Sequence, residues 1–274
     1  MCIRDSTASD QWASVSGGEN NTASGNNSSI SGGYFNTASG NFSSVSGGTA
    51  NIASGGTSSI LGGGGVILAG GVPVSGNEAS GGNSVVVGGQ NNSATGDFSS
   101  ILGGGGSSIA DGNETYADYS VVVGGRENLA GDPNKVDPAS GPRSVVVGGQ
   151  KNTAYGDNSV VIAGDTNTAT GPQSSVSAGF SNTASGTSTS VSGGQNNTAN
   201  YAYGSVSGGN NNTASGNSSS VSGGLDNTAS GNSSSVSGGY NNIASGGGSS
   251  VSGGNSRSAP GNYDWAAGAL FEGN

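Results

Sequence analysis

One aliphatic residue ahead of a short Gly-rich step returns every fifteen residues along most of this 274-residue chain. The series is Val15, Ile30, Val45, Ile60, Val86, Ile101, Val122, Val146, Val161, Val176, Val191, Val206, Val221, Val236 and Val251. Eleven of its fourteen spacings are 15 residues. The other three are 26, 21 and 24, so they carry 11, 6 and 9 extra residues. An alanine lies seven residues before most of these positions, from Ala8 to Ala244, with Ala139 in that place before Val146. Glycine follows every aliphatic residue by three and nearly every alanine by two. Gly adopts positive φ cheaply, so the spacing predicts two glycine corners per repeat.

Seven or eight residues less a corner leave a strand of four or five, too short for a helix. A fixed period stacks each residue type on its own copy, which is how solenoids read in sequence. The prediction is an all-β fold: a parallel β-solenoid of about 15–16 coils of 15 residues, with two short strands per coil. Strands about 4.8 Å apart would make fifteen coils roughly 70 Å long. Composition alone would suggest a disordered linker, with 57 glycines and only 8% charged residues. A linker has no reason to keep Val, Ala and Gly in register for this length.

Strand alternation sets the faces. If the aliphatic residue and the alanine point inward, so do their neighbours two positions away. That places Asn21, Asn36, Asn51, Asn77, Asn92, Asn152, Asn167, Asn182, Asn197, Asn212, Asn227 and Asn242 in one inward row. Stacked amides can hydrogen-bond along the stacking axis. The recurrent Asn-Asn-Thr also matches the N-glycan acceptor pattern. Because the asparagine is locked to the coil phase, the structural ladder is the preferred reading.

One Val or Ile and one Ala per coil is a thin core for ordering fifteen residues. Burying the coil's flanks against other chains would help. The middle of the chain offers such a flank. Beside the inward aliphatic residue, Ser gives way to Val85, Leu102, Val121, Val123, Val145, Val147 and Ile162. A strand apolar on both faces expects burial on both. The partner expected there is another copy of the chain; the alternative is that the insertions fold back over it.

The repeat "NTASGNFSSVSGG", multiplied along residues 7–268, resembles the head repeats of trimeric autotransporter adhesins, the YadA-like or hemagglutinin type. The resemblance implies a left-handed β-roll, a homotrimer, and an extracellular position on a bacterial surface, anchored to the outer membrane through regions outside this sequence. It departs from the commonly 14-residue family repeat in its period, and in having one aliphatic residue per strand where the family often has two. The opening "MCIRDS", residues 1–6, shares nothing with the repeat and resembles a translated library-adapter end, so it is set aside. Residues 269–274 read as a truncated end.

Chemistry is scarce. There is no His, which removes a Ser-His-Asp site and any His metal site. No phosphate-loop pattern occurs. The expectation is a non-enzyme with no cofactor and no metal. A net charge of −10 with six basic residues disfavours nucleic acid, and no apolar run is long enough for a membrane-spanning helix. Function is expected in the insertions, placed at about 62–78, 103–119 and 124–143, because long loops on a rigid scaffold often bind. The candidate binding loop comprises Asp111, Glu114, Tyr116, Tyr119, Arg126, Glu127, Asp132, Lys135, Asp137 and Arg143. Its bland reading is a solvated charged loop. The function expected is an adhesin head or surface-fibre segment for attachment to a host or matrix protein or glycan. The alternatives are an ice-binding solenoid, using the outward Thr/Ser row that Ile52, Glu78, Pro138 and Ile243 interrupt, and a structural fibre spacer.

Overall fold

The computed structural model describes residues 3–65, 67, 73, 75–134 and 140–268. It is a parallel β-solenoid in two compact units, residues 1–151 and 152–274. Both are wound from the same coil. In the first unit, one wall stacks eight two-residue strands in parallel: Ser14–Val15, Ser29–Ile30, Ser44–Val45, Ser59–Ile60, Val85–Val86, Ser100–Ile101, Val121–Val122 and Val145–Val146. The facing wall stacks Thr7–Ala8, Thr22–Ala23, Thr37–Ala38, Ile52–Ala53, Glu78–Ala79, Ser93–Ala94, Glu114–Thr115 and Leu129–Ala130. The second unit repeats the pattern, from Val160–Val161 to Trp265–Ala266 on one wall and from Thr153–Ala154 to Ser258–Ala259 on the other.

A third column, not expected from the period, joins the two walls at one corner. It consists of single-residue parallel bridges, such as Glu19 to Tyr34 to Thr49 in the first unit and Phe180 to Gln195 to Asn210 in the second. Each coil therefore has two walls and a one-residue bridge corner.

The aliphatic row from Ile30 to Val251 is at most 1% exposed, and the alanines facing it are equally buried. Val15, in an end coil, is half-buried. The two glycine corners are glycine for different reasons. At the bridge corner Gly209 has φ +85, and a Cβ there would fall 2.2 Å from the Gly224 carbonyl oxygen of the next coil. At the opposite corner Gly40 does not have positive φ; it is required because a Cβ would fall 2.1 Å from the Gly55 oxygen. The left-handed residue of that corner comes two positions later and is usually not glycine: Asn27, Phe42, Ser188 and Tyr203 hold it, with φ between 54° and 59°.

The asparagine row is a clamp as well as a ladder. All twelve predicted members are fully buried. Asn212 shows the pattern. Its backbone N–H donates to Asn197 Oδ1 at 2.9 Å, and its Nδ2 donates to the carbonyls of Gly208 and Gly224 at 2.9 and 3.0 Å. Each side chain thus bonds two corner carbonyls and one backbone N–H of the next coil. Direct amide–amide bonds, such as Asn227 Nδ2 to Asn212 Oδ1 at 3.1 Å, occur in some coils.

Two members were missing from the predicted row. Asn113 and Asn128 are also buried ladder residues. Asn113 precedes Thr115, which takes the inward place of alanine and donates to Ser99 Oγ at 3.0 Å. Asn128 precedes Ala130, and this is the inward alanine before Val146, in place of the expected Ala139, which lies outside the described residues. The extra residues accordingly fall at 65–75, at 106–111 and between Ala130 and Ser144. Of the first two, Gly65, Ser75 and residues 106–111 lie at the bridge corner. Of the opening segment, Ile3–Arg4 pairs in parallel with Gly18–Glu19, so these residues continue the coil register.

Candidate functional site

The candidate residues do not form one loop. The coil distributes the described ones to three places, all in the first unit. At the bridge corner, residues 106–111 end in a short 3-10 turn, Ile109–Asp111, where the Asp111 carboxylate accepts the Ser108 N–H at 3.2 Å. One coil later Glu127 gathers charge. It lies 3.3 Å from Arg126 Nε and 3.5 Å from Lys151 Nζ, and it accepts from Gln150 Nε2 at 3.5 Å. Arg126 and Gln150 are themselves bridge-column partners.

On the second wall, Glu114 is in register with Ser93, and Ser93 with Glu78. A cavity of about 280 Å³ opens over this row, walled by Ser75, Asn91, Ile109 and Asn113 among others. Asn91 ties its rim together: its Nδ2 donates to Gly106 O at 2.8 Å and its Oδ1 accepts from Ser75 Oγ. Ser75 of the first insertion and Gly106 and Ile109 of the second therefore meet over one patch of wall. Glu78, Asn91, Ser75 and Ile109 were not among the residues expected here. Alignment of the two insertions on one corner would have found them. Tyr116 follows Thr115 on this wall, half-buried, with its N–H donated to Ala130 O.

At the opposite corner Tyr119 and Arg143 take the left-handed position, with φ 58° and 59°. The Tyr119 ring stacks on Phe98 one coil earlier, centroids 5.0 Å apart and planes within 2°. Asp132, 4% exposed, accepts the Asn134 N–H at 2.8 Å. Lys135 and Asp137 lie outside the described residues.

A second surface lies on the outer face of the first wall. Leu61, Val87, Leu102, Val123 and Val147 sit one residue past the inward aliphatic in five successive coils, each 39–51% exposed. Val85, Val121 and Val145 line the same face. Single exposed apolar residues are ordinary, but a contiguous apolar patch marks an interaction surface.

Among the described residues no group of three or more His, Cys, Asp or Glu is placed to hold a metal ion. No helix among them is long and apolar enough to cross a membrane. Compared with known protein families the chain matches none, and no curated protein matches it.

Proposed function

We propose that the chain is a non-catalytic segment of an extracellular fibre, built like the head of a trimeric autotransporter adhesin and presented on a bacterial surface. The observation that carries the reading is the contrast between a stiff, repetitive coil and one stretch where it carries both insertions and an outward apolar strip. The strip from Leu61 to Val147 is the surface on which copies of the chain would pack as a homotrimer. The cavity rimmed by Ser75 and Asn91, with Glu114 and the Glu127 cluster nearby in sequence, is where a matrix protein or glycan would be held.

Two measurements test this. Light scattering should give the mass of three chains. A screen of immobilised matrix proteins and glycans should give binding that is lost on deletion of residues 106–111. That deletion removes the six extra residues and restores the 15-residue spacing, so the coil should survive it. A monomer, or binding unchanged by the deletion, rejects the corresponding half of the proposal.

One observation favours ice binding as a second reading. On the second wall of the second unit, Thr153, Thr168, Thr183, Thr198, Thr213 and Thr228 stand in unbroken register. The interruptions at Ile52 and Glu78 belong to the first unit, and Ile243 comes only after the sixth threonine. Pro138 lies outside the described residues, and Leu129 stands in the row there. β-Branched Thr holds few rotamers, so its hydroxyls can repeat one orientation. Inhibition of ice recrystallisation by the whole chain, abolished by Thr198→Tyr, would support this reading. No inhibition would remove it.

A further inference from the structure

The recurrent Asn-Asn-Thr places two asparagines side by side, and the coil gives them opposite fates. The acceptor pattern for N-linked glycans requires Ser or Thr two residues after the asparagine. In residues 20–22, 196–198 and 211–213 the acceptor is therefore the first asparagine, while the ladder uses the second. Asn21, Asn197 and Asn212 are fully buried. Asn20, Asn196 and Asn211 sit at the left-handed bend of the bridge corner, with φ 55°, 54° and 57°. Asn196 and Asn211 are exposed and Asn20 is half-buried.

Three further facts suit these side chains to modification. Among the described residues Asn20 and Asn196 have no side-chain partner, and Asn211 Nδ2 donates only to the exposed Asp226 carboxylate. The bend does not need asparagine, since Phe35, Ala50 and Ser181 hold it with the same φ. The hydroxyls two residues on, Thr22, Thr198 and Thr213, lie on the outer face of the second wall beside buried alanines. Other sequons in the chain lack one of these features. Asn113 is a buried ladder residue, and Asn91 is 7% exposed and bonded to Gly106 O. Asn26, Asn41, Asn217 and Asn232 are followed by Ser28, Ser43, Ser219 and Ser234, whose hydroxyls are buried, and Asn27 is half-buried at the opposite corner with its Nδ2 donated to Asn26 Oδ1.

We propose that Asn20, Asn196 and Asn211 are acceptors for an N-linked oligosaccharide, delivered by an oligosaccharyltransferase from a lipid-pyrophosphate donor. The side-chain amide nitrogen forms a bond to C1 of the first sugar. The C1–O bond to the pyrophosphate breaks, the lipid pyrophosphate leaves with the bonding pair, and the amide gives up one proton. Glycans at these positions emerge from a corner, where they displace no core or ladder group.

The test is secretion of the full chain from a eukaryotic host, which supplies donor and transferase whatever the protein's native location; its outcome is therefore independent of the adhesin reading. Occupancy is read by enzymatic glycan release in ¹⁸O water and peptide mass spectrometry. Translation into microsomes gives the same readout as a gel shift where secretion is poor. Glycans are expected on Asn20, Asn196 and Asn211 and absent from Asn91 and Asn113. Asn196→Gln should remove one glycan with no change in melting temperature, whereas Asn197→Gln should lower it. The proposal is overturned by unoccupied Asn196 and Asn211 in the folded protein, by glycans on Asn91 or Asn113, or by glycans confined to Asn41, Asn217 and Asn232.

Discussion

The two units share a coil and differ in what they show to solvent. In residues 1–151 the outer face of the first wall turns apolar from Leu61 to Val147, and all three insertions interrupt the period. In residues 152–274 the period never breaks, and the same wall presents Ser on both sides of each buried valine from Ser175 to Ser252. The inward rows are nearly the same in both: Val or Ile, Ala, Asn and Ser. Folding constrains these four inward positions and the two corner glycines of a coil; the outward positions differ between the units. A coil that buries so little per turn must satisfy its corner carbonyls internally, which is the work of the asparagine row.

The largest effect should come from that row, and it should be equal in the two units. Asn212→Ala strands the Gly208 carbonyl and the Asn227 N–H, while the Gly224 carbonyl keeps the Asn210 N–H. Asn92→Ala strands the Gly88 carbonyl and the Asn113 N–H, while the Gly104 carbonyl keeps the Gln90 N–H. Each stranded buried group costs about 1–3 kcal/mol, so either variant should lose several kcal/mol in urea unfolding. A loss at one site and not at the other would show that the shared interior is not shared energetically.

The next effect should separate the units. Val123 is 39% exposed on the apolar strip, and its counterpart in a serine coil of the second unit is Ser207. Val123→Asp should abolish self-association in light scattering, because a desolvated carboxylate has no partner there. Ser207→Asp should leave the assembly intact. Both should change monomer stability by less than about 0.5 kcal/mol, as surface substitutions do. If both variants assemble, the strip is not the contact surface.

How much of this was legible in sequence follows from what a period can report. The inward Val, Ala and Asn rows were legible because identity repeats at fixed spacing. The bridge column was not, because Glu19, Tyr34, Thr49 and Gln90 share a backbone conformation and no side-chain type. The reason for Gly40 was not legible either: a steric requirement and a left-handed φ both select glycine, and only the backbone separates them. Asn113 escaped because Thr115 stands where the period has alanine, and Asn128 because an insertion shifts only half a coil. Counting back seven residues from Val146 lands on Ala139, whereas the extra residues lie after Ala130. The same half-coil shift made the candidate residues read as one loop when they occupy three sides. Their charges were visible; that Glu127 would reach Lys151, or that Asn91 would join Ser75 to Gly106, depends on stacked coils that bring together residues 15 to 24 apart.

A smaller effect tests that charge cluster. Glu127 faces Arg126 and Lys151 in the first unit. In the second unit Asp226 holds only Asn211 among the bonds its side chain makes. Glu127→Gln should cost about 0.2–1 kcal/mol, the range of partly exposed pairs, and the loss should shrink in high salt. Asp226→Asn keeps a carbonyl oxygen in place and should cost less, with little salt dependence. Equal salt dependence in the two variants would mean that the cluster contributes only through the chain's net charge.

The smallest effect concerns a row that puts polar groups where the core could be apolar. The serine two residues before the inward aliphatic is buried in nearly every coil, and the hydroxyls of Ser84 and Ser234 have no hydrogen-bond partner. Two coils show where a hydroxyl in this row can go. Ser120 Oγ donates to Ala117 O, and Thr189 Oγ1 donates to Gly186 O at 2.7 Å, each to the carbonyl three residues back. That carbonyl also accepts a backbone N–H, from Ser84 to Gly81 at 3.2 Å, from Ser234 to Gly231 at 3.1 Å and from Ser120 to Ala117 at 3.3 Å, so only the Ser120 hydroxyl adds a bond that its alanine variant would lose. An unpartnered buried hydroxyl is a liability. Ser84→Ala and Ser234→Ala should therefore shift the urea midpoint by less than about 0.5 kcal/mol equivalent, or stabilise slightly, and do so alike in both units. Ser120→Ala should cost about 1 kcal/mol, the net worth of a typical hydrogen bond. If all three variants lose the same amount, the whole row donates to the corner carbonyls, and the serine row belongs with the asparagine row as a device that holds the corners shut.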